Sequence, residues 1–512
     1  VADLLPTEPG GYNGYQALFG AKYIAPAIGG GPNVTHNGYQ VTDASGNLVD
    51  LDGHTLQEPF SHTAGFPGFS PTATQTLAVM ADMQEAGIPV TYGYISDLHE
   101  KKPDTATGCT TTGTASSSGK PVGPGDSCYV ANAQHYDAAF QKFFARLASD
   151  GITPANTLFV ISAEENDQFA GANVGRAIQP TPAGCDGVTV PCNYATGQIG
   201  ELQANIKGLL STTPSAATQF DIEPQGASIY VHGQPAATDP GVRQLERDTA
   251  AMTGNDPYSG VANEKIAKYQ ADQLVERVLH MQTADPLRTP TYSIFPKGDY
   301  FFSTTGANVG INNGFAYDHG YYSPNIDITW VGMAGPGVSV RGVDGPEPAE
   351  GNQAHDPEAN ATVPQASTKG TWVEETDIRP TMLFLAGLKD DYQSDGHVIV
   401  QALARRPHAL VETAALAAGY DQIESSVGTL ATDTLIADTN ALAAGSSSND
   451  AAYAALQAKL LRLAGDRDRA ASEIKQTLSD AAAGRMPNPL RFVTELAQEA
   501  SLLARAAQLA RS

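Results

Sequence analysis

Two glutamates in tandem, Glu164 and Glu165, stand just past the nearly continuous apolar run Thr157–Ser162, after Ala163. A second short β-prone run, Val90–Ile95, leads into Ser96-Asp97-Leu98-His99-Glu100, and the loop Asp318-His319-Gly320 stands just before Asp327–Met333. Carboxylates and imidazoles gathered this way suit a dinuclear hydrolytic metal site: the carboxylates neutralise the cations, and neutral imidazoles complete the coordination without adding charge. Tandem glutamates at a strand end also repel each other unless something cationic binds them. Asp97 and His99 are two positions apart, so in an extended segment both face the same side. The candidate ligand set is therefore Asp97, His99, Glu164, Glu165 and His319.

Each of these residues has a plainer reading. A histidine in a polar loop is often only solvated, which applies to His99 more than to His319, because an Asp-His-Gly loop ahead of a buried strand is hard to explain by packing. Asn166 and Asp167 read as turn formers. Asp327 and Asp377 read as structural, the latter as a helix N-cap. The remaining histidines, His397 among them, read as ordinary surface or core residues. Other hydrolytic and nucleotide-binding machinery is missing from the sequence: there is no Gly-x-Ser-x-Gly elbow, no His-Glu-x-x-His and no Gly-x-x-x-x-Gly-Lys-Ser/Thr loop.

The elements that must position these groups alternate. Residues 1–70 and 103–128 read as long loops rich in Gly, Pro, Thr and Ser. Helical spacing marks 72–86 and 134–149, the latter with Phe140, Phe143, Phe144 and Leu147 on one face. Thr157–Ser162 has the continuous apolar character of a strand buried on both faces. Strands are also expected at 228–232 and 327–333, helices at 260–281 and 378–388. This alternation implies an α/β sandwich whose ligands sit at strand ends. Near 403 the composition turns Ala/Leu-rich, with helical periodicity in 409–418, 451–464, 467–484 and 489–510. The expected organisation is an α/β domain over 1–403 and a helical C-terminal region over 404–512.

These residues resemble the alkaline phosphatase superfamily in scattered blocks between about 75 and 400. Asp318-His319-Gly320, with Asp327-Ile-Thr-Trp-Val-Gly-Met-Ala-Gly-Pro-Gly337, is similar to the superfamily's His-Gly segment, in which a metal-binding His precedes an apolar strand ending in Gly-Pro-Gly. Glu375-Thr-Asp-Ile-Arg-Pro-Thr-Met-Leu-Phe-Leu-Ala-Gly-Leu388 and Ser394-Asp-Gly396 resemble the helix and Asp-Gly turn that close such domains. Glu164 and Glu165 stand where the superfamily usually places Asp and then His, nearer the acidic tract of its phospholipase C and acid phosphatase branch. The resemblance implies a central, mostly parallel sheet flanked by helices. It also implies phosphoester hydrolysis through a Ser or Thr nucleophile and about two divalent ions. Zinc, manganese or iron fit the histidines, and calcium fits only the carboxylates. No apolar strand ending in Asp stands near Val1, so by the family layout the nucleophile is expected upstream of it.

The formal net charge of -25 excludes nucleic acid as a partner, since polyanion binding rests on cationic contacts. Only 17% of the 512 residues are charged and 41% are hydrophobic, which describes a globular protein. No apolar run is long enough to span a membrane. Four cysteines in loop-like surroundings read as two local disulfides, Cys109–Cys128 and Cys185–Cys192, with the other two pairings left open by sequence. An oxidising compartment follows, extracellular or periplasmic. Val1-Ala-Asp-Leu-Leu-Pro is no signal peptide, so a processed precursor is expected, with its cleaved N-terminal fragment as a partner beside the phosphoester substrate. The alternative is a catalytically inactive scaffold of the same type, used for extracellular binding or assembly.

Overall fold

The computed structural model describes residues 28, 31–57, 71–96, 98, 123–170, 181–195, 197–223, 228–258, 260–340, 373–389, 392, 394–443 and 450–511. The chain divides into two compact units, one of residues 1–157, 178–199 and 313–316, the other of 158–177, 200–312 and 317–512.

In the first unit an Asn37-Gly38 turn, with both residues at positive φ, joins the two-residue strands β1 (Thr35–His36) and β2 (Tyr39–Gln40). Helix α1 (Ala73–Glu85) opens on a capping box between Thr72 and Gln75. It packs against α2 (Ser127–Ser149), whose Arg146 is buried between Asp82 and Glu85 of α1. Burial holds the Asp82 carboxyl up at about 7 in spite of that guanidinium. Cys185 and Cys192 form a disulfide, and Cys192 N–H donates to the Gly125 carbonyl at 2.8 Å, just ahead of α2. Cys128 is also disulfide-bonded; Cys109, its expected partner, lies outside the described residues.

Val90–Ile95 departs from the expected strand: it forms no ladder among the described residues, and Val90 and Tyr92 are 82% and 87% exposed. Pro89 stands just before the run and Gly93 interrupts it. The chain lies instead on α1, where Gly93 leaves no room for a Cβ beside Met80 and the Thr76 hydroxyl donates to the Tyr94 carbonyl.

The second unit begins with β3 (Phe159–Ser162), β4 (Gln168–Phe169), β5 (Glu201–Asn205), α3 (Ile206–Leu210), β6 (Phe220–Glu223) and β7 (Ser228–Val231). Next come α4 (Pro240–Ala250), β8 (Thr253–Gly254), β9 (Glu264–Lys265), β10 (Ala267–Asp272), α5 (Gln273–Val278), β11 (Tyr292–Pro296) and β12 (Tyr300–Ser303). Then follow β13 (Val309–Asn312), β14 (Tyr317–Asp318), α6 (Pro324–Asp327), β15 (Val331–Ala334) and α7 (Ile378–Leu385). Five helices complete it: α8 (His408–Glu412), α9 (Ala414–Glu424), α10 (Thr429–Ala443), α11 (Asp450–Ala482) and α12 (Pro489–Ala510).

The unit is mixed α/β, with its strands in several small sheets. One sheet runs β10-β11-β7-β6, wholly antiparallel; another runs β12-β5-β13; β3/β15, β4/β14 and β8/β9 are two-stranded. Among the described residues the β5–β12 pairing alone is parallel. Residues 260–281 are not the single helix that periodicity suggests. Asp272 caps a helix that starts only at Gln273, accepting from Leu274 and Val275 N–H, while the residues before it pair with β11. Likewise 451–464 and 467–484 fall on one helix, α11, which continues through Gly465 to Ala482, with Gly484 just beyond it in the left-handed conformation.

The C-terminal helices share one hydrophobic core with β10 and α5, built from residues such as Val275, Leu416, Leu435, Leu463, Ile474 and Leu502. Helix α10 also covers the open edge of β10. The Thr439 hydroxyl accepts from Gln270 N–H at 2.9 Å and donates to Gln270 C=O at 3.1 Å, and the Asp438 carboxylate accepts from Asp272 N–H at 2.7 Å. An edge strand left bare is a site of unwanted pairing, and here side chains take the place of a neighbouring strand.

Candidate functional site

Two short antiparallel ladders frame the acidic loop after β3. On one side β3 pairs with β15, Ser162 opposite Val331; on the other β4 pairs with β14, Gln168 opposite Asp318. Between them Asn166 N–H donates to the Ile326 carbonyl at 2.9 Å, and the Asn166 amide reaches the Ile328 carbonyl at 3.3 Å. Asn166 thus fixes the loop rather than merely turning it. The apolar run of β3 is half-buried, not fully buried as expected, because its sheet has only two strands among the described residues.

Within this frame Glu165 meets His319. Glu165 Oε1 lies 2.5 Å from His319 Nδ1, and Oε2 accepts the Gly320 N–H at 2.9 Å. Gly320 holds φ +81°, a conformation glycine adopts without strain. Both side chains are about one-third exposed, 34% for His319 and 35% for Glu165, so solvent and solutes reach the pair.

Further carboxyl groups gather near it. Asp327, read from sequence as structural, is held well above its usual range by burial and then by the Glu165 charge, with Lys268 opposing. Glu375 accepts from the Ser162 hydroxyl at 3.2 Å, and burial, with Glu164 adding, raises its carboxyl. Sequence reasoning assigned no role to Glu375 or Lys268. The sequence signal for Glu375 is the run Glu374-Glu375 at the start of the Asp-Ile-Arg-Pro block, which by its pattern suggests only a helix entry.

Of the five candidate ligands, Glu165 and His319 come together and Glu164 flanks them. Asp97 and His99 lie outside the described residues. Ser96, just before them, is buried, donates to the Pro71 carbonyl at 2.9 Å and accepts the Tyr136 hydroxyl at its own carbonyl at 2.5 Å. Among the described residues, the groups that bring three His or carboxylate ligand atoms within 4.8 Å of one another are His36–Glu85–Asp150, Asp50–Asp52–His54, His280–Asp395–Glu424 and Asp377–His397–Asp421. None includes Glu164, Glu165 or His319.

Asp377 does not cap α7 through its side chain. It is buried, accepts from Glu374 N–H at 3.1 Å within a capping box around the 3-10 turn Glu375–Asp377, and accepts from His397 N–H at 2.6 Å.

Comparisons with known protein families, with curated proteins and with solved structures find no match for this chain.

Proposed function

We propose that this chain is a metal-dependent phosphoester hydrolase of alkaline phosphatase-like type, a phosphatase or phosphodiesterase working in an oxidising compartment. The observation that carries the reading is the Glu165–His319 pair after β3, with Asp327 feeling the charges of Glu165 and Lys268, and Glu375 that of Glu164. Such a donor set fits a divalent cation, because carboxylates neutralise a cation's charge and imidazole suits transition ions. The resemblance of 318–337 and 374–396 to the superfamily gives the reaction class.

When bound, a divalent ion supplies Lewis-acid polarisation of a phosphoryl oxygen and charge stabilisation at the leaving oxygen. Glu164 and His319 would hold it. Ser162 and the Trp330 carbonyl, 3.0 Å apart, fix the strand end from which Glu164 projects. Lys268 opposes the rise of the buried Asp327 carboxyl.

The second reading, an inactive scaffold for extracellular binding, is favoured by one observation: the tight His/carboxylate groups exclude Glu164, Glu165 and His319. Metal analysis of the purified protein separates the two. The hydrolase reading expects about two transition-metal ions per chain and turnover of nitrophenyl phosphate mono- or diesters, lost in His319→Ala. Metal-free protein, inactive after reconstitution with zinc and manganese, would sink it.

A further inference from the structure

We infer that Glu165 is not a metal ligand but the positioning residue that fixes the tautomer and ring orientation of His319, presenting His319 Nε2 as the donor atom. The inference rests on the metal-dependent reading and assigns this carboxylate a role within it that sequence reasoning did not.

Both oxygens of Glu165 are engaged on the same two-residue unit: Oε1 on His319 Nδ1 at 2.5 Å, Oε2 on Gly320 N–H at 2.9 Å. A carboxylate seated this way, one oxygen on the ring and one on the adjacent backbone amide, controls the ring's position and its rotation. A carboxylate accepts, so Nδ1 carries the hydrogen, and Nε2 is the ring nitrogen whose lone pair is free for a cation when the imidazole is neutral. Metal-bound histidines commonly donate their other ring N–H to a carboxylate, which raises ligand basicity and holds the ring in one pose.

The surrounding backbone is built to hold that seat. β4 and β14 place Gln168 opposite Asp318, so Glu165 and His319 approach from the two strands of one ladder as it ends. Asn166 ties the Glu165 loop to the Ile326 and Ile328 carbonyls. Gly320 at φ +81° turns its N–H toward Oε2. Glu164, the neighbouring residue, is exposed, and its charge raises the Glu375 carboxyl.

The test starts on metal-free protein labelled with 15N-histidine, the His319 signals assigned by their loss in His319→Gln. A long-range 1H–15N correlation is expected to show Nδ1–H and an unprotonated Nε2. Glu165→Ala should shift the ring toward the mixture of tautomers seen in water and weaken Co2+ binding 10- to 100-fold. The visible spectrum of the Co2+ complex should stay unchanged at saturation, since no ligand is removed. Should Glu165→Ala fail to fold, Glu165→Leu, which keeps the bulk and removes both acceptors, carries the same comparison. An Nε2–H tautomer in the parent protein, unchanged Co2+ affinity, or a Co2+ spectrum altered by loss of a ligand would overturn the assignment while leaving the metal reading intact. If the parent protein binds no Co2+ at all, the metal reading fails and the assignment of Nε2 as donor falls with it, whatever the tautomer.

Discussion

His397 Nε2 lies 3.0 Å from Asp421 Oδ1, and the same ring nitrogen is 3.9 Å from Asp377 Oδ2. His397 follows the Asp-Gly turn, Asp377 precedes α7, and Asp421 belongs to α9, so one imidazole ties three parts of the second unit together. Tyr420 packs edge-on against the ring, and Glu374 adds a further nearby carboxyl. Burial lowers the imidazole pKa, but the hydrogen bond and charge of Asp421, with the charge of Asp377, outweigh it and hold His397 up at about 9.

From that shift a pH dependence follows. The folded value lies above the ordinary 6.5, so the stabilisation is fully present below about pH 6.5 and is lost as pH rises through about 9. His397→Gln should cost on the order of 2–3 kcal/mol at pH 6, with the gap to the parent closing above pH 9. Thermal unfolding across pH 6–10 reads it, and a gap independent of pH would contradict the charged-histidine account.

The Thr439 hydroxyl serves both backbone groups of Gln270 at once. Thr439→Val keeps the shape and removes both partners, so it should destabilise the second unit by about 2–4 kcal/mol. Thr439→Ser should recover most of that. Denaturant midpoints for the three proteins decide it, and a neutral Thr439→Val would mean water replaces the helix at the strand edge.

Asp438 is fully buried, with Oδ2 on the Asp272 N–H and Oδ1 without a hydrogen-bond partner. Burial, with the charge of Asp272 adding, raises its carboxyl well above the usual range. Its contribution is therefore complete below about pH 4 and is lost as pH rises toward the folded value. Asp438→Asn removes that loss while keeping an acceptor for the amide. The variant should match or exceed the parent in stability at pH 8, measured by differential scanning calorimetry; a clearly less stable variant there would refute the argument.

Gly465 sits inside α11, and a Cβ built on it meets nothing closer than the Arg469 guanidinium at 3.9 Å. Gly465→Ala should therefore stabilise the helix by about 0.5–1 kcal/mol, seen as a higher unfolding midpoint. A lowered midpoint would show that the helix breaks at this residue.

That glycine also shows what could be read from sequence. Periodicity identified the helical character on both sides of Gly465 but divided the helix there, because a local breaker carries weight only until packing against β10, α5 and the neighbouring helices overrides it. Asp272 was the opposite case, a capping residue hidden inside an apparently continuous helical stretch. Val90–Ile95 has the composition of a strand, yet strand pairing is a non-local event that composition cannot specify. The pairing of Glu165 with His319 joins residues 154 positions apart. Each was legible as a polar residue beside an apolar run, but their contact depends on the β4–β14 ladder, whose strands are two residues each. His397 and Glu375 were passed over because their neighbours in sequence carry no sign of Asp421 or Ser162.

The central claim is that His319 and the acidic loop after β3 hold a divalent cation. The most direct measurement is an anomalous difference map from crystals soaked in Mn2+ or Zn2+. A peak bonded to His319 Nε2 and the Glu164 carboxylate, with Glu165 behind the ring, is the expected result. No peak at that strand end, or one confined to Asp377, His397 and Asp421, would contradict it.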